Sequence, residues 1–392
     1  GKGESQVEIL IKNVNIVTPY EIVHEYGVLI KDNIIKEIEK EENFKEENLD
    51  NIIDGKNGFL APGFIDIHNH GNSGYDFMDS TEEAIDNIGK FHLKNGVTSF
   101  LGTIITSSYE DMKNAIKNIA DYENKKDNSQ IIGIHLEGPF FAMEKKGAQP
   151  PEHIKGPNLE EIKELEMLSK GMLKVVSLAP ELEGASPVIR YLKSKNVVPA
   201  MAHSNGTFEE AKKGVNEGIT LANHLYNGMR SFSHREPGII GVSLTDDRVY
   251  CEIIYDGIHL HDASVEVALR TKGIGKVILV SDAMRAAGLQ DGEYELGGQK
   301  VFVENGAARL ESGALAGSTL NLREAVYNMV YKKNTTIHEA VRMASLNPAK
   351  AIGVDDRKGS IEVGKDADLI LFDKDINMLA SIVGGNTIWL KN

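Results

Sequence analysis

With 392 residues, 41% hydrophobic and 26% charged, the chain has the composition of an ordinary packed globular protein, long enough for one large domain or two to three smaller ones. Its 58 acidic against 43 basic residues leave a formal charge of -15, which argues against a broad surface for nucleic acid or anionic lipid. An anionic small ligand would need a local basic pocket.

Cys251 is the only cysteine, so intrachain disulfides and thiolate zinc clusters are excluded and a reducing compartment fits best. No run of about 18 apolar residues appears. The N-terminal GKGESQVEIL lacks the charged-then-apolar pattern of a secretory signal. No membrane association and a cytoplasmic location are therefore expected.

From Val7 to about Asn57, "VEILIKNVNIVTP" and "GVLIKDNIIKEIE" alternate apolar and polar positions between turn residues, the pattern of a small antiparallel β module. The charged run at 36–50 reads as a solvated hairpin tip or loop. From about Phe59 the rhythm changes to short β-branched runs separated by helical stretches of the length that βαβ units require. The runs are "GFIDIHNH", "VTSFLGTII", "QIIGIHLEG", "LKVVSLAP", "VVPAMAHS", "ITLANHLYN", "YCEIIYDGIH" and "KVILVSDA". Between the first two, "STEEAIDNIGKFHLKNG" predicts a helix with a Ser80–Glu83 capping box, a face of Ile85, Ile88, Phe91 and Leu93, and Gly96 as terminator.

Eight strand–helix repeats predict an α/β fold, a (β/α)8 TIM-like barrel over 59–352, rather than a doubly wound sheet. After the eighth strand, "EYELGGQKVFVENGAARLESG" predicts hairpins inserted before a helix beginning near Ser318. The last stretch, "GSIEVGKDADLILFDKDINMLASIVGGNTIWL", returns to short β patterns. Residues 1–58 and 353–392 are therefore expected to pair into a small β-sandwich domain built from both chain termini.

Chemistry in such a barrel sits at the carboxyl ends of its strands. Those ends carry His68 and His70 on the first strand, Glu137 on the third, His203 on the fifth, His224 on the sixth and Asp282 on the eighth. Residues i and i+2 share a strand face, so His68 and His70 both aim into the barrel mouth. A lone H-x-H, or one strand-end histidine, is more often a hydrogen-bonded structural residue. The coincidence of the whole set at one rim favours metal ligation.

Imidazole and carboxylate together suit zinc, iron or manganese, and the spacing leaves open whether one or two ions bind. His24, His92, His153, His234, His261 and His338 lack that placement and read as ordinary. His135 shares a strand face with Glu137 and reads as a support beneath the ligands. Asp282, after four apolar residues in "VSDA", is the candidate general base taking a proton from water; a helix-capping role is the less favoured alternative. No nucleophile elbow or phosphate-cradling glycine loop stands out.

The motifs "PGFIDIHNHG", "HLEGPF", "MAHSNG", "NHLYNGMR", "REPG", "DGIH", "SDAM" and "LAGS", in this order, resemble the N-acetylglucosamine-6-phosphate deacetylase family of the amidohydrolase superfamily, over nearly the whole chain. The resemblance implies metal-dependent hydrolysis of the N-acetyl group to glucosamine-6-phosphate and acetate, in amino-sugar catabolism or cell-wall recycling. It implies Glu137, His203 and His224 as ligands of the family's metal, His68 and His70 as the pair that some members use for a second ion, and Asp282 as the catalytic aspartate. Glu137 would then bridge the ions. Strand four ends in "SLAP", without the lysine that other branches carboxylate.

By the same resemblance His259 binds substrate, Asn227 and Gly228 belong to the segment that holds the sugar phosphate, and Arg235 of "HREPG" grips the phosphate, supplied in some members by a neighbouring subunit. A homodimer is the implied assembly. Ala148, Gln149 and the stretch Leu315, Ala316 and Gly317 match further sugar contacts, with His203 also counted among them. Gln149 departs from members that carry histidine there, and Arg230 is an extra cation near the phosphate motif.

Two other readings compete. An amidohydrolase acting on a cyclic amide or imide is disfavoured by "REPG" and by the missing strand-four lysine. A sugar-phosphate binding protein without turnover has no need of a base such as Asp282 beside a full ligand set.

Overall fold

The computed structural model describes residues 8–49 and 51–391; Val7, where the first expected strand opens, lies outside them with the rest of 1–7. Glu8–Val17 pairs antiparallel with Tyr26–Lys31 and parallel with Asn51–Pro62. The C-terminal strand Leu369–Phe372 then pairs antiparallel with the end of Asn51–Pro62, in the register Leu369 to Pro62 and Phe372 to Phe59. The two ends of the chain thus share one sheet, around its own apolar cluster of Ile11, Val28, Ile30, Leu60, Leu369 and Ile382. The charged run after Ile34–Lys40 forms two short 3-10 turns at the surface, tethered by Lys12 Nζ to Glu46 Oε1 at 2.8 Å.

Gly63 joins this sheet to the barrel. A Cβ there would fall 1.9 Å from Thr98 Oγ1, so the crossing has room only for glycine. Beyond it come, among the described residues, eight parallel barrel strands: β1 (Phe64–Asp66), β2 (Val97–Ile105), β3 (Gln130–Glu137), β4 (Leu173–Leu178), β5 (Val198–Met201), β6 (Leu221–Ala222), β7 (Tyr250–Ile253) and β8 (Val277–Leu279). Each sits beside the next in order, and the circle is closed at its mouth by Asp282 N–H to His68 O and His70 N–H to Ala283 O, both 2.8 Å. The expected (β/α)8 barrel is the observed fold. Its strands are buried on both faces, which is why they read as β-branched runs rather than as alternation.

The outer helices among the described residues are α1 (Glu82–Lys94), α2 (Tyr109–Asp121), α3 (Leu159–Leu168), α4 (Ala185–Ser194), α5 (Phe208–Glu217), α6 (Gly238–Thr245), α7 (Asp262–Lys272) and α8 (Leu322–Lys333), followed by α9 (Ile337–Ala344) and α10 (Leu346–Ala351). Of the face expected of α1, Ile85, Ile88 and Leu93 turn inward and are buried, while Phe91 is only half-buried; truncating a residue such as Ile88 to alanine would cost roughly 2–5 kcal/mol. Its cap differs from expectation. Thr81, not Ser80, accepts the Ala84 N–H at 3.1 Å, because Ser80 lies at φ 55° ending the preceding 3-10 turn, and Glu83 bonds instead to the Tyr75 hydroxyl. The helix expected near Ser318 begins at Leu322 with Asn321 as its cap.

Between β8 and α8 a three-stranded antiparallel meander, Gly292–Leu296, Gln299–Glu304 and Ala307–Leu310, packs Leu296, Val301 and Ala308 against Ile105, Ala148 and Met284. It forms one wall over the barrel mouth.

Candidate active site

Asp66 ends β1, and His68 and His70 continue on the same face, so all three are buried at the mouth. Glu137, the last residue of β3, meets them: its Oε1 is 3.0 Å from His70 Nε2 and its Oε2 is 3.2 Å from His68 Nε2. The same Oε2 stands 3.2 Å from His224 Nε2 and 3.6 Å from His203 Nε2. Asp282 Oδ1 closes the first group at 3.3 Å from His68 and 3.2 Å from His70. Two sets of potential ligands therefore share Glu137, one of His68, His70, Glu137 and Asp282, the other of Glu137, His203 and His224.

His203, His224 and Asp282 lie two or three residues past the ends of β5, β6 and β8, where the backbone turns through φ of 43°, 23° and 48°. Non-glycine residues are rarely found there, and such turns cost about 1–3 kcal/mol each, so they persist where the surroundings impose them. Here they swing side chains off the strand direction and over the barrel axis.

His203 and His224 are held from behind, Nδ1 donating to Lys145 O at 2.8 Å and to Asn227 O at 3.0 Å. Carbonyl oxygens only accept, so both Nδ1 atoms carry a proton and both Nε2 atoms face Glu137. His68 is held the same way by a carboxylate, Glu252 Oε1, 2.7 Å from its Nδ1. His135 lies beneath, its ring edge-on to His68 at 4.6 Å and its nitrogens against Thr103 Oγ1 at 3.3 Å and Ser177 Oγ at 2.6 Å.

The donor set fits a divalent cation. His68 Nε2 and Asp282 Oδ1 are buried without a hydrogen-bond partner among the described residues, and both point into the first group. Burial pushes the His68 imidazole down, but the charges of Glu252, Asp282 and Glu137 outweigh it and hold its pKa well above the ordinary histidine value. Burial likewise opposes protonation of His70, yet the Asp282 and Glu137 carboxylates beside it, at 3.2 and 3.0 Å, lift it to about 10. Glu137 is held well below the usual carboxylate range despite burial, chiefly by the charge of His68, by the neighbouring His203 and by the hydrogen-bonded His224. In such a site protons and a cation do the same neutralising work, so loading a divalent ion releases protons.

Above these groups opens a cavity of ≈ 240 Å³. Ala148, Gln149, Asn227, Gly228, His259, Leu315 and Gly317 line it together with His70, Glu137, His203, His224 and Asp282, and Ile105, Ile254 and Leu296 supply apolar wall. Gln149 accepts the Thr106 N–H through Oε1 at 3.4 Å, leaving its amide hydrogens for the cavity. Two expected contacts, Ala316 and Arg235, stand elsewhere, as does Arg230, the extra cation near the phosphate motif. Ala316 is fully buried in the cluster beneath the meander, because its neighbours Leu315 and Gly317 take the cavity face. Arg235 is exposed on the loop before α6 and does not line the cavity, and Arg230 turns its guanidinium to Asn205 O at 3.2 Å.

The sequence pattern of the Amidohydrolase family matches residues 59–388. The chain belongs to that family. The N-acetylglucosamine-6-phosphate deacetylase of Bacillus subtilis (strain 168) is 38% identical over 386 residues, 97% of each chain. The N-acetylgalactosamine-6-phosphate deacetylase of Escherichia coli O157:H7 is 39% identical over 320 residues, covering 81% of this chain and 85% of that one. The crystal structure of N-acetylglucosamine-6-phosphate deacetylase from Pasteurella multocida superimposes with a TM-score of 0.92 at 32% identity, covering 98% of this chain and 100% of that one. Among the described residues no helix is long and apolar enough to cross a membrane.

Glu252 is the member of this amidohydrolase site that the sequence reading passed over. It sits in the middle of an apolar strand run, "YCEIIY", and is fully buried. A single carboxylate in a strand buried on both faces must have a partner, and that was the available signal.

Proposed function

We propose that the chain hydrolyses the N-acetyl group of N-acetylglucosamine-6-phosphate to glucosamine-6-phosphate and acetate, in amino-sugar catabolism or cell-wall recycling in the cytoplasm. The observation that carries this reading is the pair of ligand sets sharing Glu137 at the floor of a sugar-sized cavity. A divalent ion, zinc, iron or manganese in one or two copies, when bound there polarises an amide carbonyl and lowers the pKa of water. His68, His70, Glu137, His203, His224 and Asp282 would hold it.

The chain's own groups do the rest. Asp282 takes a proton from the attacking water and returns it to the departing amine nitrogen. His259, whose Nδ1 is engaged by Asp256, offers Nε2 to the substrate. Asn227, Gly228, Ala148, Gln149 and Leu315 hold the sugar, and Arg235 grips the phosphate with the two parallel bonds that guanidinium allows. Since Arg235 stands away from this cavity, its reach is provided by a second copy in a homodimer.

The test is acetate release from N-acetylglucosamine-6-phosphate, its galactosamine epimer and unphosphorylated N-acetylglucosamine, with and without chelator. Turnover of the glucosamine phosphate, lost on chelation and restored by metal, is expected. Preference for the epimer would move the specificity to the galactosamine series, as in the Escherichia coli relative. Turnover indifferent to the phosphate would remove the role of Arg235, and turnover indifferent to chelation would remove the metal.

A further inference from the structure

We propose that Glu252 is a positioning residue that selects which nitrogen of His68 faces the cation, and so sets the metal affinity of the His68, His70, Glu137 and Asp282 group. The inference rests on the metal-dependent reading above and assigns a determinant of that site's strength.

A buried carboxylate is costly unless it is bonded; the side-chain bonds of Glu252 all fall on Oε1 and lead only to the site, while its Oε2 is buried without a partner among the described residues. Its Oε1 accepts from His68 Nδ1 at 2.7 Å and from the His224 backbone N–H at 3.1 Å. Its own carbonyl accepts the Leu225 N–H at 2.8 Å. One residue of β7 thus holds a ring of the first ligand set and, on both sides, the backbone that presents His224 of the second. The His224 turn it holds is one of the left-handed ones, at φ 23°.

The consequence for His68 is chemical. An ionised carboxylate only accepts, so the proton of the neutral imidazole must sit on Nδ1, leaving the Nε2 lone pair for the ion. That Nε2 is the buried, unpartnered nitrogen aimed at Glu137 and Asp282. The carboxylate also makes the imidazole a stronger donor to a cation. A glutamine of the same shape keeps an oxygen for the His224 N–H but loses the charge. If its NH2 turns to His68, the proton moves to Nε2 and blocks ligation.

The experiment compares zinc affinity of the full-length chain and of Glu252→Gln and Glu252→Asp, by competition with a chromophoric chelator, alongside thermal melts in EDTA. Zinc binding weakened about 10- to 100-fold in Glu252→Gln, with a metal-free melt close to that of the parent, is expected. Affinity within about twofold of the parent would overturn the proposal, as would a lowered metal-free melt with unchanged affinity per folded chain, the signature of a merely structural role. If Glu252→Gln fails to fold, Glu252→Asp decides: it keeps the charge but shortens the reach, so affinity weaker than the parent's is expected and parental affinity overturns. A parent chain that binds none of zinc, ferrous iron or manganese would instead sink the metal-dependent reading itself, which separates the two failures.

Discussion

His259 Nδ1 lies 2.7 Å from Asp256 Oδ2, and the other oxygen of the same carboxylate accepts the backbone N–H groups of Ile258 and His259 at 2.8 and 2.9 Å. One side chain therefore fixes both the turn after β7 and the ring that it carries into the cavity. With Nδ1 committed as donor, Nε2 is the atom presented to substrate. Asp256→Asn removes the charged partner, worth about 1.5–3 kcal/mol, and should lower kcat/KM by roughly 10- to 100-fold. Steady-state kinetics within threefold of the parent would show that His259 needs no such hold.

Asp282 is proposed both to move the proton and to contact the ion, and the two roles separate in measurement. Asp282→Asn should lower kcat by about 100- to 10,000-fold, the usual worth of a positioned acid–base group. Metal content determined on the same preparation tells whether the ion was lost as well. A variant that keeps its metal and its rate would leave no proton-transfer role for this residue.

Arg235 and Asp282 provide a complementation test of the assembly. If Arg235 serves the neighbouring copy, the inactive variants Arg235→Ala and Asp282→Asn, mixed and allowed to exchange subunits, regenerate sites in which both wild-type residues meet. Statistical exchange in a two-fold dimer predicts recovery of about a quarter of the parental activity. Activity no greater than the mean of the separate variants would place Arg235 outside any shared site.

His92 of α1 is 5% exposed, its Nε2 donates to Asn69 Oδ1 at 3.0 Å, and burial pushes its pKa down to about 3. An unfolded histidine titrates near about 6.5, so the unfolded chain takes up the proton that the folded one refuses. The stability this confers is complete above about pH 6.5 and lost progressively as pH falls toward about 3, which is about 2 kcal/mol at about pH 5. Urea unfolding at about pH 7.5 and pH 5 should show a smaller acid-side loss in His92→Gln than in the parent, by that amount. Equal losses would mean that other groups carry the acid sensitivity.

The barrel was legible because each strand, covered on both faces, must be an uninterrupted apolar run, and such runs recur at βαβ spacing. The shared inward aim of His68 and His70 was legible from strand parity. His203, His224 and Asp282 were found at the strand ends, but the alternation that places His68 does not place them. They point inward through left-handed turns that leave no mark in the residue pattern, since none is glycine. The Ser80 cap failed for a related reason: two candidate caps, Ser80 and Thr81, adjoin, and a preceding 3-10 turn invisible in the pattern consumes the first. Glu252 was hidden because apolar context was read as filler, although a lone acid inside it is the more informative letter.

The strand that pins Asn51–Pro62 comes from 369–372, and Gly63 N–H also bonds to Asp368 O at 2.9 Å just before β1 begins. Every proposed ligand, from His68 to Asp282, leaves the ribosome before that clasp exists. All the candidate donors thus precede in the chain the clasp that ties the approach to the first barrel strand. Residues 369–372 therefore brace the approach to a site that none of them touches.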